Sequence, residues 1–256
     1  MSYPFYIFFG VLPSIIWLLL YLRRDVHPEP KSEVLKIFFY GALVTIPAFF
    51  LEKGVFAATS HPLFSDIFSP FLITIFNVFI GVALIEEVLK YLVVREKVLR
   101  SAEFDEPIDV LLYMIIAALG FAALENILLL FQLGPEFLVK EALIISVFRF
   151  LEATFLHTLC SGTVGFFLAL SFFEIKRRRG LLIFGFLIAI FFHGLFNLSM
   201  SNPDLIYPYL GITIETEGGV SFSIFLIPVI ILISLAIFVS LGLKRLKKLK
   251  SVCKIR

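Results

Sequence analysis

The stretch 71–96 reads FLITIFNVFIGVALIEEVLKYLVVRE. It is long enough to cross the hydrocarbon core of a bilayer, which takes about 20 apolar residues in a helix. Inside it sit Glu86, Glu87 and Lys90. Charged side chains at membrane depth cost about 2.5–3.5 kcal/mol each even on the gentler scales, so they are rare and usually functional. The rest of the chain shows what kind of molecule surrounds them.

Six further runs have the same apolar character: 3–22, 34–51, 108–132, 149–174, 181–201 and 222–243. The chain has 256 residues, 60% of them hydrophobic and 16% charged, with a mean hydropathy of +1.01. That is too apolar and too poor in charge for a water-soluble domain. The runs lack the period-2 alternation of a barrel strand and are far longer than one. The expected fold is all-α, a polytopic transmembrane helix bundle of about seven spans forming one integral membrane domain over 1–256. The first run has no basic stretch before it and exceeds a signal's apolar core, so it reads as a retained span. Cys160 lies in an apolar run and Cys253 in a basic tail, which supports neither a disulfide framework nor a cysteine metal site.

The breaks carry stop signals. His27-Pro28-Glu29-Pro30 separates the first two spans, Ser69-Pro70 precedes the third, and Asp105-Glu106-Pro107 reads as a helix start. Gly134-Pro135 closes the fourth span. The stretch 136–148 is amphipathic and is expected to lie at the interface, since 136–174 as one helix would be about 58 Å long. Basic residues then fall on one side. Arg23, Arg24, Lys31 and Lys36 follow the first span, Arg95, Lys97 and Arg100 the third, Lys176–Arg179 the fifth, and the basic tail 244–256 the seventh. By the positive-inside rule that side is cytoplasmic, with the N-terminus outside and the C-terminus inside. Glu52 and Lys53 read as an interfacial end to the second span, and His61 as an exposed loop residue.

Other spans carry polar groups too: Glu125 and Asn126 in the fourth, Arg149, Glu152 and His157 in the fifth, His193 and Asn197 in the sixth. Measured from the cytoplasmic helix ends, Glu86, Glu125, His157 and His193 lie about 21, 28, 27 and 20 Å up at 1.5 Å per residue. They therefore share one layer in the outer half of the membrane, which predicts a single site between four helices. Residues four apart share a helix face, which pairs Glu86 with Lys90 and His193 with Asn197. Arg149 with Glu152 reads as a structural pair at i, i+3. Glu87 stands about 100° round the helix from Glu86, so one cavity reaches both only by wrapping around the helix.

Buried carboxylates and two histidines are the parts for activating water. In one arrangement Glu125, His157 and His193 bind a divalent metal, Zn2+ being the natural candidate, and Glu86 takes the proton from water. In the other, no metal is needed: a Glu and a His activate water, and His193 with Asn197 stabilises the oxyanion. The soluble HExxH zinc spacing is absent. Ser146, Thr158 and Ser161 lack a Gly-x-Ser-x-Gly turn, so a serine nucleophile has little support. From burial alone, an ion-coupled membrane transporter with Lys90 as counter-ion stands level with an enzyme.

The order EEVLK (86–90), FAALEN (121–126), a span with Arg149 and His157, then HGLFN (193–197) resembles the PrsW family of intramembrane proteases. That family is similar to the wider group of CAAX-prenyl endopeptidases and bacteriocin-processing Abi proteins. The resemblance covers about half the chain. It implies an active site of Glu86, Glu87, Glu125, His157 and His193, with Asn197 beside it and Lys90, Asn126 and Arg149 in support. It also implies an endopeptidase of the cell membrane that cuts a single-pass membrane protein, an anti-sigma-factor-like regulator in the best-known cases. Glu125 stands where the CAAX group has His, and Lys90 where that group has Arg one residue later. Both departures favour this family over a CAAX-type prenyl-protein endopeptidase, although His193-x-x-x-Asn197 is shared with the CAAX pattern. A nucleic-acid partner is not expected.

Overall fold

The computed structural model describes residues 3–23, 29–99, 106–132, 139–205, 207 and 222–249. Arg24, His27, Pro28, Arg100, Asp105, Gly134, Pro135 and the tail from Lys250 onward lie outside the described residues. Seven helical segments are long and apolar enough to cross a membrane, and the described residues contain no strand.

The segments are α1 (Tyr3–Leu22), the pair α2 (Lys31–Leu43) and α3 (Thr45–Thr59), a short α4 (Pro62–Ser65), and α5 (Pro70–Phe76). A π-helical stretch (Asn77–Leu84) joins α5 to α6 (Ile85–Lys97). Then follow α7 (Pro107–Gln132), α8 (Val139–Leu151), α9 (Ala153–Ser171), α10 (Arg178–Ser201) and α11 (Leu226–Leu246). Proline in the first turn starts α4, α5 and α7, where its missing N–H has no intrahelical partner to lose. Ser69 caps α5 by accepting from Leu72 N at 3.4 Å.

α7 is the central post. It is buried almost continuously from Pro107 to Ala123, as expected of a helix apolar all round. It packs chiefly against α9, α2 and α1, and α9 in turn carries α10 and α11. α2 approaches α7 backbone to backbone. A Cβ on Gly120 would meet Phe38 O at 1.9 Å, and one on Gly41 would meet Ala117 O at 2.1 Å. Small residues at such crossings are how membrane helices gain packing energy without a hydrophobic drive between them. Large apolar side chains such as Leu35, Phe50, Leu187 and Ile233 face outward, where lipid is their solvent.

Three breaks place the polar residues. Pro47 cannot donate to the carbonyl four residues back, and the helix interrupts at Val44 between α2 and α3. α2 stays against α7, whereas α3 packs mainly on the π stretch and α6. α3 runs on to Thr59, so Glu52 lies mid-helix rather than at an interfacial end. Glu152, at φ −113° and ψ −87°, separates α8 from α9. Residues 139–148 thus belong to a broken helical path, Val139–Ser171, that enters the bundle. The π stretch directly precedes Glu86, a location typical of such widened turns at functional sites.

Candidate active site

α6 supplies Glu86, Glu87 and Lys90, and it splits them between two faces. Glu86 borders a cavity of about 620 Å³ between α3, the α5–π segment, α8 and α10. Glu87 turns away from that cavity and is wholly buried. Lys90, also fully buried, joins them. Its ammonium donates to Glu86 Oε2 at 2.9 Å, Glu87 Oε1 at 2.9 Å and His157 Nδ1 at 2.8 Å. All three protons are used, and the group sits 4.4 Å from the Phe121 ring centroid.

That contact sets the tautomer of His157. Since Nδ1 accepts, Nε2 carries the hydrogen and donates to Glu125 Oε2 at 2.8 Å. Glu125 is also paired with Arg149, whose Nη2 lies 2.9 Å away without hydrogen-bond alignment. Arg149 Nε donates to Asn126 Oδ1, and Asn126 Nδ2 donates to Gly10 O and Thr154 Oγ1. Asn126 is therefore a clasp between α1, α7, α8 and α9. The i, i+3 pairing of Arg149 with Glu152 does not form. The helix breaks at Glu152, so the regular spacing that would bring the two together is lost.

On the far side of Lys90, Glu87 Oε1 accepts from His193 Nδ1 at 3.1 Å, and Oε2 accepts from Ser161 Oγ at 2.6 Å. His193 Nε2 is left facing Glu86 Oε2 at 3.8 Å. The two imidazoles meet edge to face, with centroids 5.2 Å apart. α10 reaches this place because Gly194 lets it lie against Phe79 of the π stretch, where a Cβ would stand 2.5 Å from the ring. Asn197, one turn beyond His193, borders the cavity.

Glu86, Glu87, His157 and His193 each offer a donor atom within 4.8 Å of the others. Two carboxylates and two imidazoles make a donor set suited to a divalent first-row ion. The Glu87–His193 bond is the carboxylate–histidine arrangement that normally orients a metal ligand. Glu125 stands outside this set, on the other edge of His157. The residues inferred from sequence thus meet around one centre, with Glu125, Arg149 and Asn126 forming a second row. Ser161 was passed over as an unsupported nucleophile, yet it holds Glu87 by a hydrogen bond. Its position four residues after His157, on the same helix face, is the signal that points to it. Ser146 and Thr158 donate to backbone carbonyls. His61 is an exposed cap of α4.

Seven apolar helices around a buried centre of Glu and His define a polytopic membrane enzyme. The chain belongs to the PrsW family of intramembrane metalloproteases, whose profile matches residues 29–236. It is similar to Protease PrsW of Geobacillus kaustophilus, 33% identical over 209 residues that span 79% of this chain and 83% of that one. The Bacillus subtilis Protease PrsW is 30% identical over 175 residues, 66% of this chain and 70% of the other. That of Clostridioides difficile is 25% identical over 191 residues, 73% and 76%. No solved structure matches the chain significantly. The protein is an intramembrane protease, and its family favours neither prenyl-protein processing nor ion-coupled transport.

Proposed function

We propose that the protein hydrolyses a peptide bond of a single-pass membrane protein, an anti-sigma-factor-like regulator, with Glu86 as the group that takes the proton of the attacking water. The observation that carries this reading is the meeting of Glu86, Glu87, His157 and His193 around one point, with Glu86, His157 and His193 at the wall of one cavity.

Glu86 suits the base role because it alone of the two adjacent carboxylates borders the cavity. Its Oε1 has no hydrogen bond among the described residues, whereas both oxygens of Glu87 are engaged. Glu87 instead orients His193. Asn197, on the same face of α10 as His193 and bordering the cavity, is placed to steady the oxyanion of the attacked carbonyl. Glu125, held by Arg149, accepts from His157 Nε2 and fixes the rotation of its ring. Lys90 offsets the charge of both carboxylates, which would otherwise repel at this depth. Phe56, Val78, Phe148 and Leu156 give the cavity apolar walls against which a substrate segment excludes bulk water.

A divalent ion such as Zn2+ would be held by His193 Nε2 and a Glu86 oxygen, with His157 Nδ1 joining them once the Lys90 ammonium gave way. Such an ion, when bound, polarises the scissile carbonyl and makes water more acidic. The N-terminus is taken to lie outside and the C-terminus in the cytoplasm, which sets the centre in the outer half of the membrane.

The test is cleavage of a single-pass substrate in proteoliposomes. Glu86→Ala and His193→Ala, each checked for intact folding, should abolish cleavage; retention by either variant overturns the reading.

A further inference from the structure

We propose that Glu52 determines specificity, its carboxylate receiving the basic side chain, Lys or Arg, of a substrate residue beside the scissile bond. This rests on the hydrolytic reading above.

The break at Pro47 is what brings Glu52 to the site. α3 diverges from α7 beyond Val44, and a second cavity of about 170 Å³ opens between them. Glu52, Glu86 and Glu125 border both cavities. Glu52, on α3, therefore lines the same two spaces as the proposed base on α6.

Glu52 has no cation within ion-pair distance among the described residues. It makes no hydrogen bond or ion pair among the described residues, though it is half-buried and lies in a helical segment, Lys31–Thr59, long and apolar enough to span a membrane. Its neighbour Lys53 is directed elsewhere, its ammonium 4.4 Å from the Phe49 ring centroid. The two cations of the site are already taken. Arg149 serves Glu125 and Asn126, and Lys90 serves Glu86, Glu87 and His157. Glu52 also falls outside the donor set that suits a metal. An uncompensated carboxylate at this depth is costly, and a cationic group from the substrate removes that cost. An acidic one meets repulsion from Glu52, Glu86 and Glu125 together. The apolar walls take the aliphatic stem that Lys and Arg share.

The experiment uses the full chain in proteoliposomes and a single-pass reporter. The reporter's segment at the membrane boundary is a library with Lys, Arg, Gln or Glu at each position, and cut sites are read by mass spectrometry. The wild type should favour Lys and Arg over Gln by about tenfold in kcat/KM at one position beside the cut, with Glu poorest. Glu52→Gln should bring the Lys-to-Gln ratio close to one, through KM. Glu52→Lys should invert the preference towards Glu. Absence of a basic preference in the wild type overturns the proposal, a result that needs no variant to fold. So does a preference that survives in Glu52→Gln, or one that Glu152→Gln removes instead. If Glu86→Ala still cleaves the reporter, the hydrolytic reading has failed. If Glu86→Ala is inactive while Glu52→Gln keeps the preference, only the Glu52 assignment has failed.

Discussion

The two walls of the cavity are built on opposite principles. On the α6, α9 and α10 side, polar groups are bonded to one another: Lys90 to three acceptors, Glu87 to three donors, His193 to Glu87. On the α3 side and at the α8–α9 break, Glu52 and Glu152 border the same space with no hydrogen bond or ion pair among the described residues. The first wall is preorganised, as chemistry requires, because groups that must act on developing charge gain by not having to reorganise. The second wall is incomplete until something binds. A low-dielectric setting makes both conditions matter more, since a satisfied network is strengthened there and an unpaired charge is penalised.

Breaking the preorganised wall should have the largest consequences. Loss of Glu86 or His193 removes a group of the proposed catalytic centre, and cleavage of a reporter in proteoliposomes should fall by about 10²–10⁴-fold or below detection. Lys90→Met leaves Glu86 and Glu87 buried without their cation. Removing one partner of such a pair costs about 3–5 kcal/mol, so the unfolding midpoint in detergent should drop sharply and activity with it. Ser161→Ala withdraws one of three donors to Glu87, a loss of about 1.5–3 kcal/mol for a hydrogen bond to a charged group. Thermal unfolding should register it, and kcat should fall while KM holds, since Glu87 bonds His193 and does not border the cavity. Elemental analysis sharpens the role of the histidines: a stoichiometric divalent ion should accompany the purified wild type and be missing from His157→Ala. Far from both walls, the exposed Glu33–Lys36 pair at 3.1 Å supplies the contrast. Lys36→Ala should shift stability by less than about 1 kcal/mol.

The helical bundle and most of the centre were legible because membrane burial leaves a strong one-dimensional signal. Length, apolar content and polar exceptions can be read along the chain, and Glu86, Lys90, His193 and Asn197 could be paired from i, i+4 spacing alone. Glu52 was misread for a definite reason. The apolar run weakens at Glu52-Lys53, which looks like a span end, but α3 continues to Thr59 and the Pro47 break swings it over the cavity. The pairing of Arg149 with Glu152 was misread for a related one. Spacing rules assume an unbroken helix, and the break at Glu152 removes the geometry they rely on. Glu87 shows the intermediate case. Its angular offset from Glu86 was readable, but which neighbours that direction meets was not.

The sequence by itself determined that the chain lives in a membrane, how many helices cross it, and which polar residues share a depth. These depend on local composition and on a rise of 1.5 Å per residue, both properties of the chain taken one helix at a time. Only the tertiary structure decided that Lys90 bridges Glu86, Glu87 and His157, that Arg149 serves Glu125, and that Glu52 borders the same cavity as Glu86. Those outcomes depend on how each helix is rotated and kinked against the others. That in turn rests on close approaches such as Gly41 to α7 and on the break at Pro47, where packing between helices sets the geometry.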